Sequence, residues 1–160
     1  MRKIIIIVFI ILFLILTGIL FFHKDGSVPH TVRHDAVVRF ANGTEATVEI
    51  ADEEKERERG FSFRERPADQ EGILFVFDRP DRYSFWMYGM KFPLDFLWIE
   101  GGKVVDLTPN VIPDVPPTKT YRPAVPVSRM LEMPAGFIEK SGTSVGDEVE
   151  IVHLQRGRVF

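Results

Sequence analysis

Two runs constrain this chain more than any other feature: Gly72-Ile73-Leu74-Phe75-Val76-Phe77 and Leu94-Asp95-Phe96-Leu97-Trp98-Ile99. Successive side chains of a strand point to opposite faces, so the second run places Leu94, Phe96 and Trp98 on one face and Asp95, Leu97 and Ile99 on the other. Both faces are mostly apolar. A strand with water on one side alternates with polar residues, so these two belong centrally in a sheet covered on both sides, as in a β-sandwich or small barrel. Phe85 to Tyr88 has the aromatic content of a third strand, broken from Leu94 by Gly89 and Pro93. Pairing the two buries both tryptophans, each contributing about 4 to 6 kcal/mol at most.

The chain has 160 residues, room for one membrane segment and one domain of about 125 residues. Residues 1–3 form a short basic head, and residues 4–22 are an apolar run without a charge. As a helix that run would span about 28 Å, close to the hydrocarbon thickness, and it is expected to be an uncleaved transmembrane anchor. No small-x-small cleavage site follows it. Arg2 and Lys3 favour a cytoplasmic N-terminus, so the domain is expected outside the cell membrane. Residues 23–34, with Gly26, Ser27 and Pro29, are a tether. Residues 35–154 form the β domain and residues 155–160 a tail.

Within the domain, Asp35 to Ala41 and Thr44 to Ala51 alternate on either side of Asn42-Gly43, a hairpin signal that predicts a type I′ turn. Asp52 is placed to cap a helix over Glu53 to Arg59, ended by Gly60. That helix has almost no apolar face, so its ends and its arginine stems must hold it. Asp78 to Asp81 is read as a turn and Arg82 to Tyr88 as a strand. Lys103 to Leu107, Val127 to Met133 and Asp147 to Leu154 are further strands, with one or two helical turns between Pro134 and Ser141. Pro109 to Pro126 contains six prolines, which excludes regular pairing and predicts a long loop pinned by Tyr121 across an open sheet end. The expected fold is mainly β: a single sandwich or small barrel with one or two short helices.

Composition narrows the chemistry. With 20 basic against 23 acidic residues there is no basic excess for nucleic acid. The absence of cysteine excludes disulfides, thiolate metal sites and cysteine nucleophiles. Of the four histidines only His153 lies beyond the tether, and no Gly-rich phosphate loop, nucleophile elbow or His-Glu-x-x-His helix occurs. No metal or cofactor is called for.

Six segments can be compared as a set: Ala51 to Phe61 with Arg64, Gly72 to Phe77, Phe85 to Met87, Phe92 to Asp95, Met130 to Phe137 and Val145 to Val149. Their order and spacing resemble the family called domain of unknown function 192 over about residues 35 to 153. The resemblance implies one compact, mostly β domain, often exported, with no established activity. Ser62 and Gly89-Met90 depart from the family pattern, which often has methionine and Asn-Thr there.

Asp95 is the most informative polar residue, since a carboxylate in an apolar strand must be paired, hydrogen-bonded or protonated. Its candidate partners are Arg64, Lys91 and Arg129. It serves either as a structural acceptor or as a reactive acid. Glu132, among Met130, Leu131 and Met133, is expected to face solvent from an edge strand. Facing Asp95 across a cleft instead, it would complete the carboxylate pair of a small envelope hydrolase or lyase. Arg64 is expected to pair internally with Asp95 or Glu132, or to hold an anionic ligand. Trp86 is core or a stacking platform. Arg64, Trp86, Asp95, Tyr121, Arg129 and Glu132 are the ligand-binding candidates. The leading expectation is a membrane-anchored module that binds an unidentified envelope ligand or protein without catalysis. An envelope assembly or structural factor working through a sheet edge is the remaining reading.

Overall fold

The computed structural model describes residues 33–114 and 119–154. The expected anchor at 4–22, most of the tether and the tail lie outside the described residues. Among the described residues no helix is long and apolar enough to cross a membrane.

Seven strands form one sheet: β1 (Ala36–Phe40), β2 (Glu45–Ala51), β3 (Glu71–Asp81), β4 (Leu94–Glu100), β5 (Lys103–Val111), β6 (Val127–Pro134) and β7 (Val149–His153). Two short helices accompany them, α1 (Glu54–Arg59) and α2 (Phe137–Ser141). The order across the sheet is β5-β4-β6-β3-β2-β1-β7, with β2 and β3 parallel and every other neighbour pair antiparallel. The sheet curls into a half-barrel, because its two outermost strands meet at one end. Lys103 at the start of β5 bridges Glu148, and the Val104 N–H donates to the Asp147 carbonyl at 2.9 Å.

One curled sheet replaces the expected sandwich, yet the reasoning from two apolar faces holds. Leu94, Phe96 and Trp98 join Ile73, Phe75 and Met130 in one buried cluster, while Leu97 and Ile99 join Leu74, Leu131 and Val38 in another. The second cluster takes residues from both outer strands, Val104 and Val149, so it fills the inside of the curl. The first is roofed instead by loops, through Phe61, Met87, Met90 and Phe92.

The roof corrects the expectation for Phe85 to Tyr88. Those residues are not a strand of the sheet. Phe85 makes a single bridge to Tyr121, and Trp86 is 49% exposed whereas Trp98 is fully buried. Strand β3 also runs on through the expected turn to Asp81, with its register to β6 shifting between Val76 and Asp81. The bulge there absorbs Pro80, which has no N–H to give a ladder. Tyr121 does pin the proline-rich segment, its ring 5.9 Å from Phe96, although Pro109 itself lies in β5.

The Asn42-Gly43 hairpin forms, but its turn is the longer kind. The Gly43 N–H donates to the Phe40 carbonyl, and Gly43 alone has positive φ at 85°. Asn42 keeps negative φ and accepts from the Thr44 N–H, so a type I turn closed by a left-handed glycine replaces type I′. Helix α1 is capped by Glu53 rather than Asp52, through a reciprocal box with Glu56. It buries no residue, and Arg57 lies over the Phe77 ring at 5.4 Å, as a helix without an apolar face requires.

Asp95 is a structural acceptor. Its side chain lies on the inner face, 1% exposed, and receives the backbone N–H groups of Asn110 at 2.8 Å, Gly136 at 3.1 Å and Ile138 at 2.9 Å. None of its expected cationic partners reaches it. One carboxylate thereby ties β4 to β5, where Asn110 has φ 53°, and to the start of α2. Replacing Asp95 with Asn turns an amide NH2 toward backbone donors that the carboxylate accepts from on both oxygens. Urea unfolding is expected to show a loss of about 2 to 4 kcal/mol, and a loss below about 0.5 kcal/mol would contradict the role.

Candidate functional site

The outer face of the sheet carries a polar row inside its apolar cover. Glu49 of β2 pairs in register with Ile73 of β3, Ile73 with Glu132 of β6, and Glu132 with Phe96 of β4. Cross-strand partners share a face, so Glu49 and Glu132 stand on the same side with Ile73 between them. Arg64, on the loop after α1, joins the row. It grips Glu49 bidentately, Nη1 to Oε2 at 2.8 Å and Nη2 to Oε1 at 3.0 Å, with its Nε buried and unpartnered.

Glu49 was not singled out in the sequence because alternation along β2 assigns it, with Thr47, to a face that reads as solvent. The loop bearing Arg64 covers that face. Burial alone would raise the Glu49 carboxyl, but the Arg64 bonds and charge, assisted by Arg33, outweigh it and hold it below the ordinary carboxylate range. Arg64 therefore pairs internally, but with neither of its expected partners.

Glu132 is the unusual member. Strand β6 is central rather than an edge, so Glu132 is 5% exposed instead of facing solvent. Its carboxyl accepts from the Phe61 N–H, and Oε2 is buried with no partner among the described residues. Burial pushes its pKa up to about 8, against the opposing effects of the Arg64 charge and the Phe61 N–H. Near neutral pH the group is thus mostly a neutral acid. Gly60 allows the close approach. A Cβ at Gly60 would stand 3.3 Å from Glu132 Oε2 and 3.3 Å from the Phe75 ring, and Gly60 has φ 45°.

Glu132 lies at the base of a cavity of about 170 Å³ between the outer face of the sheet, the end of α1 and the segment from Tyr83 to Met90. Phe61, Phe75, Phe85 and Met90 form its apolar walls, and half-exposed Trp86 stands at its mouth. The two departures from the family pattern also fall here. Ser62 donates its hydroxyl to the Tyr88 carbonyl at 2.8 Å, and a Cβ at Gly89 would come within 2.7 Å of the Phe63 ring. Phe63 itself holds φ 62° and is 64% exposed.

Of the six sequence candidates, the fold gathers Trp86 and Glu132 into the cavity, with Arg64 acting on Glu132 through its charge. Asp95 pairs in register with Met133, so it faces the opposite side of the sheet from Glu132. No shared cleft exists for a carboxylate pair. Tyr121 braces the roof. Arg129 lies on the inner face, in a separate and wider concavity of about 520 Å³ with Leu74, Val76 and Ile99. Phe61, Phe75, Phe85 and Met90 were legible only as core.

Comparisons agree with this architecture. The DUF192 family model, described as Uncharacterized ACR, matches residues 37–151. A crystal structure of a proposed transcription regulator from Sinorhizobium meliloti 1021 superposes with TM-score 0.69 at 30% identity, over 76% of this chain and 95% of that one. A protein of unknown function from Novosphingobium aromaticivorans DSM 12444 superposes with TM-score 0.66 at 28% identity, over 72% and 83%. No curated protein matches the chain.

Glu132 sets a pH dependence with a defined sign. Its folded pKa lies above its unfolded value, so its contribution to stability is complete below about pH 4.5 and is lost as pH rises through about 8. Over that window the slope is roughly 1.4 kcal/mol per pH unit. Replacing Glu132 with Gln should flatten the decline in urea-unfolding stability. An unchanged pH profile would show that Glu132 ionises normally.

Proposed function

The chain belongs to the DUF192 family, and from that premise we propose that it is a ligand-binding module whose site is the aromatic cavity over Glu132, presented outside the cytoplasm behind an N-terminal membrane anchor. One observation carries the binding reading: a carboxyl oxygen, buried and without a partner, at the floor of an open aromatic pocket. Leaving a buried polar group unmatched costs about 1 to 3 kcal/mol, and a bound group that satisfies it recovers that cost. The anchor reading rests on the uncharged run of residues 4–22.

Catalysis is the second reading, favoured by the displaced Glu132 pKa, which suits a general acid near neutrality. It would have to operate with Glu132 alone, since Asp95 lies on the other face. An assembly role finds less support, because the outermost strands meet at one end and shorten the free edges. Direct DNA reading, prompted by the relative's description, finds no support in a chain of net charge −3.

The two tryptophans provide an internal control. Trp98 is buried with its Nε1 bonded to Thr108 Oγ1 at 3.0 Å, whereas Trp86 borders the cavity. A small-molecule fragment screen read by indole N–H resonances is expected to shift Trp86 and spare Trp98, and Glu132→Gln is expected to remove the shifts. Shifts that survive that substitution would place binding elsewhere, and turnover of a bound fragment would favour the enzyme. For the anchor, the chain should fractionate with membranes and retain its first residues by intact mass; a mature protein starting near residue 23 would refute it.

A further inference from the structure

We propose that the Glu132 cavity receives the head group of a protonated amine, whose N–H donates to Glu132 Oε2 while the aromatic walls surround its charge. This rests on the cavity being a ligand site and adds the class of ligand. Oε2 of Glu132 is buried without a partner among the described residues, and in the ionised carboxylate it is an acceptor that an ammonium N–H satisfies. Aromatic rings stabilise a cation through their faces, four of them (Phe61, Phe75, Phe85 and Trp86) line the cavity, and this layer already carries one cation, the Arg57 guanidinium over Phe77. The volume, about 170 Å³, is well above what a single water needs and accommodates an amine head group.

Charge around the cavity points the same way. Helix α1 contributes Glu54 and Glu58 against Arg57 and Arg59, which balance. Arg64 is engaged by Glu49 on both guanidinium edges. Tyr83 adds a neutral phenol, the Ser84 to Met90 segment adds no charge, and the in-register neighbours of Glu132 on β3 and β4 are Ile73 and Phe96. Among the described residues, Glu132 is left as the group whose charge an incoming cation neutralises. On binding, the Glu132 carboxyl releases its proton to water and the amine keeps its own, so the site changes from a neutral acid to an ion pair without covalent chemistry.

The probe is n-butylammonium, titrated into the full 160-residue chain and followed by the Trp86 indole resonance. An alkylamine keeps its proton at both ends of the range, like lysine, so the pH dependence reports Glu132. Affinity is expected to rise roughly thirtyfold from about pH 6.5 to about pH 9, as the ionised fraction of Glu132 grows. Tetramethylammonium, which has no N–H, should bind more weakly. Glu132→Gln should abolish both binding and its pH dependence. Trp86→Ala, at a half-exposed position and followed by titration calorimetry because it removes the reporting indole, should weaken binding while keeping the pH dependence. If n-butanol binds as tightly as the amine and more weakly at high pH, the amine class is wrong and the ligand pocket stands. If neither probe binds while Glu132 still titrates, both readings fall.

Discussion

A sheet that is apolar on both faces has to be covered twice, and this chain does so by two different means. The inner face is covered by the sheet itself, which curls until β5 and β7 touch, so side chains from its outermost strands share one interior. The outer face has no second sheet. It is covered by the turn after α1, by the segment from Tyr83 to Phe92, and by the strap carrying Tyr121. A cover made of loops packs through a few large aromatic side chains and leaves gaps that a second sheet would fill. The cavity over Glu132 is such a gap, bounded on one side by rigid strands and on the other by loops.

The same cover explains the chemistry of the buried charges. Two carboxylates and one guanidinium lie under it, and the guanidinium is committed to Glu49 by two parallel bonds. With no cation left in bonding contact, Glu132 resolves its burial by keeping its proton. The row is then electrically balanced, one ion pair beside one neutral acid. That balance lasts only while nothing positive enters the cavity. Asp95, on the inner face, meets the same cost of burial with three backbone donors and carries its load without a counter-ion.

Much of the strand pattern was legible in the residues. The faces assigned to Leu94 through Ile99 match the two clusters side chain for side chain, and the Asn42-Gly43 hairpin, the α1 helix and α2 lie close to where they are expected. The turn type failed because the choice between two-residue and three-residue hairpins depends on how the flanking strands pair, not on Asn-Gly alone. Phe85 to Tyr88 failed for a related reason. A short aromatic run has the composition of a strand whether it pairs in a sheet or roofs one, and only a place in the sheet distinguishes the two. The missed partner of Arg64 belongs with these, since Glu49 reads as a solvent-facing residue until a loop from elsewhere in the chain closes over it.

By itself the sequence determined the double-faced strands, and hence a mainly β domain with two covers, because side-chain alternation is a property of the local backbone. It also determined that any acid inside those strands needs a partner or a proton. Only the tertiary structure decided which acid received which. The register of β4 against β6 placed Asp95 and Glu132 on opposite faces, the loop after α1 delivered Arg64 to Glu49, and Glu132 was left with the proton. Those outcomes depend on contacts between residues far apart in the chain, and no local pattern encodes which distant segment will arrive.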